Sequence, residues 1–217
     1  MGLFKGVACN EANVLHTAAH EAYHVLIEQR GERLAGLESP TSTSPQVDGF
    51  LAARAASIIE EYRVELAAHE ANEPARSPSS PEKLSTELVE LEAETLDILS
   101  PSRLLRDPVS ASAEMLDLLR KLSHRLAHAA ATDMASGGAD APERTELWDK
   151  RIGSIFAEMC RVLCSVPSAR SPARVGDLDQ VAAELAPVVR QLLSAYWLEL
   201  GELPGQLGVQ CSRPPGA

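Results

Sequence analysis

The residues best equipped for chemistry lie close together near the start of the chain. Residues 20–24 read His20-Glu21-Ala22-Tyr23-His24. They fall inside a stretch with helical periodicity: Val14, Leu15, Ala18, Ala22, Val25 and Leu26 form an apolar stripe, which predicts a helix from about Asn10 to Arg30 with Gly31 as its C-cap. On a helix, residues i and i+4 share a face one turn apart, so two imidazoles can converge on a single metal ion. The acid next to His20 leans toward the open coordination position, where it can take a proton from metal-bound water. Zinc lowers the pKa of such water to about 7. On this reading His20 and His24 are metal ligands and Glu21 is the general base.

Two histidines alone bind weakly and leave the geometry open, so a third ligand is required. A second helix, from about Asp48 to Asn72, carries the run Ile58-Ile59-Glu60-Glu61-Tyr62-Arg63-Val64-Glu65. Its apolar stripe is Leu51, Ala55, Ile58, Ile59, Tyr62 and Leu66, at about 100° per residue. Glu60 points nearly opposite to that stripe, whereas Glu61 and Glu65 lie together on one flank. The third ligand is one of these three acids; the plain alternative is a solvated face on which Glu61 and Glu65 flank Arg63. His16 extends the histidine row backwards, but it stands about 12 Å along the helix from His24, too far to share an ion with it; an exposed ring is the ordinary expectation. His124 and His128 are also four apart. They lie opposite the Met115, Leu118, Leu119, Leu122, Leu126 stripe of their own helix and are expected in solvent. His69 follows Glu65 by a turn and could polarise a carbonyl.

Shuffling this composition yields the core HExxH pattern about once in sixty tries, so its flanks matter. The ten residues Thr17–Leu26, TAAHEAYHVL, resemble the longer signature of zinc-dependent peptidases, the zincins: threonine first, uncharged residues inside, an apolar residue last. Arg30 stands where the metzincin class would carry a histidine. The run Glu60-Glu61-Tyr62-Arg63-Val64-Glu65 resembles the acidic helix that follows HExxH in the glutamate-ligand class, the gluzincins. In that pattern the ligand acid is followed four residues later by an acid that hydrogen-bonds a ligand histidine. The resemblance therefore implies Glu61 as the third ligand with Glu65 supporting it, Zn2+ as cofactor, and hydrolysis of peptide bonds in a peptide or protein substrate. It also implies a β-sheet ahead of the HExxH helix, whose edge strand would pair with substrate. Only about nine residues precede the helix, so the expectation is an N-terminally shortened descendant, a gene start called too late, or a protein partner completing the site. The alternative function is a non-catalytic, all-helical interaction protein or a degenerate peptidase relative.

The elements that must position these groups read as all-α. The chain has 217 residues, 45% hydrophobic and only 4% aromatic, with alanine and leucine dominant, which favours helices over a sandwich or barrel. About six helices are expected: the two above, packed together, then one from Pro81, and others over about 112–132, 142–165 and 178–200, the last kinked or interrupted at Pro187. The polar stretch 38–46 reads as a loop. Residues 1–73 form an HExxH metallopeptidase-like region, 74–81 a linker, 82–201 a helical domain, and 202–217 a flexible tail. The net charge of −11, without a basic block, excludes nucleic acid as a partner. No apolar run reaches the ~18 residues of a membrane span. Four sparse cysteines (Cys9, Cys160, Cys164, Cys211) form no disulfide framework, and Cys160 and Cys164 read as small buried hydrophobes. A cytoplasmic, reduced protein is expected.

Overall fold

The computed structural model describes residues 11–34, 46–71, 81–138, 142, 144–203 and 206–211. Helix α1 (Glu11–Gln29) stops where its sequence says it should. Gly31 takes φ 64°, and the amides of Gly31 and Glu32 turn back onto the carbonyls of Glu28 and Ile27, a Schellman closure that satisfies carbonyls the helix leaves open. Helix α2 (Gln46–Ala71) follows, then α3 (Pro81–Ile98), α4 (Pro101–Arg106) and α5 (Pro108–Ala135). The Asp107 side chain accepts from the Ser110 amide and, with Pro108, sets the start of α5. Thr145 caps α6 (Glu146–Arg151) in the same way, through the Trp148 amide. Then come α7 (Gly153–Leu163) and α8 (Val175–Ala195), and an antiparallel hairpin of β1 (Leu198–Leu203) with β2 (Gln206–Cys211).

The fold is all-α, with eight helices and one two-stranded hairpin among the described residues. Several boundaries differ from the sequence reading. The single helix expected over 142–165 is broken at Ile152, where Gly153 lets the Trp148 ring come within 3.2 Å of the place a Cβ would occupy. Pro187 does not interrupt α8. It lies on the exposed side with Ala183, so the carbonyl freed at i−4 has water available. The same helix ends at Ala195 rather than Leu200, because Trp197 adopts φ 59° and turns the chain into β1; the Arg151 guanidinium stacks 4.0 Å over its ring. Part of the expected tail, 206–211, is therefore strand, with Val209 and Cys211 against the core. Cys164 is exposed and Cys160 half-buried, so the pair is not two buried hydrophobes. Cys9, the expected loop as far as Pro45, the linker before Pro81 and the tail beyond Cys211 lie outside the described residues.

Helix α2 is the axis of the packing. It lies against α5, α8 and α1, and is buried nearly all round from Ile58 to Ala68. One hydrophobic cluster runs from α2 through α3, α5, α7 and α8 to Leu198, so the core crosses the expected boundary at 74–81. No helix among the described residues is long and apolar enough to cross a membrane.

Arg63 is the largest fully buried side chain. It donates to Glu32 at 2.6 Å and to the carbonyls of Pro167 and Ser171, while Ala169 donates to its own carbonyl. This ties the end of α1 and the loop after α7 to α2. Substituting Arg63→Leu leaves the Glu32 carboxylate buried with only the Arg30 guanidinium, 4.0 Å away, to face it. The expected loss is about 3–5 kcal/mol, read as a lower midpoint in urea denaturation.

Candidate metal centre

Helix α1 packs with the face opposite to the one its apolar stripe predicts. Val14, Leu15 and Val25 are 49%, 55% and 52% exposed, and Ala18 and Ala22 are exposed too. His16, His20, Tyr23, His24 and Ile27 turn inward instead. The reason is on α2, which offers Glu60, Glu61 and Glu65 to the interface. Carboxylates taken out of water need donors, and the imidazoles supply them. The acidic run is accordingly not a solvated face: Glu65 is 2% exposed, and Arg63 is engaged elsewhere.

The two helices run antiparallel, and the contacts climb like rungs. His24 donates from Nδ1 to Glu60 at 2.9 Å. His20 donates from Nδ1 to Glu65 Oε2 at 3.0 Å. His16 meets Glu65 Oε1 through Nε2 at 3.0 Å, and His69 Nε2 lies 3.4 Å from the same oxygen. From α5, His128 Nε2 reaches Glu61 Oε2 at 3.0 Å, and His124 Nδ1 stands 3.6 Å from Glu61 Oε1. All six histidines of the chain belong to this cluster.

The sequence-derived set His20, His24 and Glu61 comes together. The two Nε2 atoms are 3.2 Å apart, and Glu61 oxygens lie 3.6 Å from His20 Nε2 and 3.8 Å from His24 Nε2. Tetrahedral ligands with bonds of 2.0–2.1 Å sit about 3.3 Å apart, so the spacing fits a zinc-sized ion. Tautomer chemistry adds to this. A carboxylate only accepts, so Glu60 and Glu65 place the protons of neutral His24 and His20 on Nδ1. With both rings neutral, the two Nε2 lone pairs face each other and the Glu61 carboxylate, an arrangement that a proton between the rings or a metal cation relieves. Glu65 hydrogen-bonds His20, and Glu60 hydrogen-bonds His24. Among the described residues two further sets have ligand atoms within 4.8 Å of one another: His20, Glu65 and His128, and His16, Glu65 and His69. Glu21 is exposed and makes no hydrogen bond or ion pair among the described residues; it acts on His24 only through its charge.

Burial alone would push the Glu65 carboxyl up, but the hydrogen bonds from His16, His20 and His69 outweigh it and hold the group well below the carboxylate range. Burial likewise opposes ionisation of Glu61; the His128 hydrogen bond and the charges of His124, His128 and His24 bring it down to about 2. The Glu60 hydrogen bond raises His24 above the ordinary imidazole value, against burial, with Glu61, Glu60 and Glu21 adding to it. His124 is pushed down by burial, reinforced by Arg120, His128 and Arg54 against the pull of Glu61.

The expectation that His124 and His128 stand in solvent is overturned: both are part-buried against Glu61. His16 is buried, not exposed. His69 is held between Glu65 and Thr132 Oγ1. The signal that could have found them is the spacing itself, since histidines four apart recur on α1 and α5 while His69 continues the four-residue step from Glu61 and Glu65. Comparison with family models, curated proteins and solved structures finds no match to this chain.

A metal must displace the proton that Glu60 favours on His24. Zinc affinity should therefore fall as pH drops through the His24 titration, by roughly tenfold per pH unit for this one proton. Glu60→Gln should bring the His24 pKa back down. Imidazole 15N titration of metal-free protein and competition binding at two pH values check both.

Proposed function

We propose that the chain is a zinc-dependent hydrolase that cleaves peptide bonds, with the ion held by His20, His24 and Glu61. The carrying observation is the convergence of two Nε2 lone pairs and one carboxylate, each imidazole fixed from behind by a second carboxylate. Zinc there supplies Lewis-acid polarisation and lowers the pKa of water to about 7.

The chain's own groups have separable tasks. Glu65 and Glu60 orient His20 and His24 and fix their tautomers. Glu21, exposed beside the cluster, can exchange protons with solvent and serves as general base and then proton donor. A cleft of about 430 Å³ between α3 and α5 ends on Glu61, His124 and His128. Leu84, Leu88 and Leu91 line it, with Glu87, Glu90 and Glu94 along the α3 side and Arg120, Lys121 and Arg125 along the α5 side. Such a trough suits a chain with apolar side groups and polar ends, as a peptide has. The Arg125–Glu87 ion pair, at 3.4 Å, links the two sides.

A second reading is a non-catalytic metal protein that docks a partner. It is favoured by Glu21 standing exposed and outside the hydrogen-bonded cluster, and by the exposed Val14, Leu15 and Val25 on α1. One variant separates the two. Under the hydrolase reading Glu21→Gln keeps the zinc and lowers the turnover of a peptide library by 100-fold or more, in line with the ~10²–10⁴ typical of general acid–base groups. Retained zinc with an unchanged rate, or no rate in the parent protein, rejects the hydrolase. His24→Ala is expected to abolish zinc at this site by elemental analysis.

A further inference from the structure

Beyond the His20, His24, Glu61 set lies a deeper group of donors, of which the proposed hydrolase uses only Glu65. We infer that His16, Glu65 and His69 form a second cation site, for a divalent first-row transition ion, so that the protein is a two-metal centre. This deepens the hydrolase reading and rests on it only in that the two sites share Glu65.

Glu65 Oε1 is the shared vertex of the inner group, 3.0 Å from His16 Nε2 and 3.4 Å from His69 Nε2. These separations bracket the edge of about 3.3 Å expected for ligands on a tetrahedral ion. The two rings meet edge to face with centroids 4.9 Å apart, and one ligand atom each from His16, Glu65 and His69 lie within 4.8 Å of one another. His69 Nε2 also lies 3.0 Å from Thr132 Oγ1, whose own proton goes to the His128 carbonyl. One N–H on His69 is shared between the hydroxyl and the carboxylate, whereas a cation would engage the Glu65 oxygen and the His69 nitrogen directly. Two imidazoles and one carboxylate select a borderline transition ion over calcium or magnesium, which prefer all-oxygen shells.

Charge points the same way. Glu60, Glu61 and Glu65 bring three carboxylates into one part-buried cluster, and Arg63, the cation of the same stretch of helix, is engaged by Glu32. With the ligand imidazoles neutral, a single divalent ion compensates two of the three. Glu65 also joins the sites mechanically: Oε1 faces the inner donors, while Oε2 accepts from Nδ1 of His20, whose Nε2 faces the outer ones. An ion at the inner site pulls electron density from Glu65 and so weakens its hold on the His20 proton, which tunes the outer ligand.

The test counts ions on the full chain, freed of metal and of any histidine tag, then dialysed against zinc. Elemental analysis should give two zinc per chain. His16→Gln, His69→Gln and His24→Gln should each give one. Far-UV circular dichroism establishes that each variant is helical; His69 is 10% exposed and tolerates exchange better than the buried His16, and the parent count decides the matter alone if both variants unfold. Titration with Co2+ adds a spectral readout: the visible bands of the outer ion should shift when the second equivalent binds, and His16→Gln should remove that shift. One zinc in the parent, kept by His16→Gln and lost by His24→Gln, overturns the inner site and leaves the outer one standing. One zinc lost by His16→Gln and kept by His24→Gln does the reverse. No zinc at all overturns both.

Discussion

Glu65 is the group on which the arrangement turns. A carboxylate with 2% exposure must be surrounded by donors, and those that face it are the imidazoles of His16, His20 and His69. An unpaired charge at that depth would cost several kcal/mol. Satisfying it forces α1 to present its histidine face to α2, which in turn exposes Val14, Leu15 and Val25. The buried polar network thus overrides hydrophobic patterning in setting the rotation of a whole helix. It also brings the site into being, because the rotation that pairs His20 with Glu65 swings the other ring edge toward His24 and Glu61.

The second constraint is the position of α2 at the centre. From Ile58 to Ala68 a helix packed by α1, α5 and α8 has little solvated surface to hide charge on, so the charged groups of that stretch are tied to something definite. Arg63 goes to Glu32 and two carbonyls, Glu60 to His24, Glu61 to His128, Ser57 to His124. The cleft beside Glu61 exists because α3 meets α5 through leucines while the charged residues of both helices line the opening.

Much of this could be read from residue order, and the failures have a common cause. The end of α1, the all-helical class and the placing of His20 and His24 on one face follow from local spacing, and the structure has them; Glu61 is singled out among three acids by resemblance alone, and the structure brings it to the two histidines. The facing of α1 was not legible, because that helix carries two usable stripes, one apolar and one of histidines, and only the acids of α2 decide between them. His124 and His128 were misplaced for the same reason: opposite a leucine stripe usually means solvent, but α5 is flanked on that side by Glu61 and Ser57. The hairpin after Ala195 depends on the turn at Trp197 and on Arg151 beneath its ring, a pairing between distant parts of the chain.

On α1 the rungs repeat every four residues, at His16, His20 and His24; His16 meets Glu65, His20 meets Glu65 and Glu61, and His24 meets Glu60 and Glu61, with His69 one turn beyond Glu65. A row of identical rings at equal steps is ambiguous: sliding α1 by four residues, about 6 Å, would bring the neighbouring ring to the place each one holds. The tie that lifts the ambiguity lies outside the ladder. Glu32, just past the Gly31 turn, is locked to Arg63, and Arg30 holds the Ala169 carbonyl at 2.8 Å. These contacts do not repeat, so they act as a vernier mark that fixes which ring meets which acid, and the chemistry of the centre is indexed from a point that never touches it.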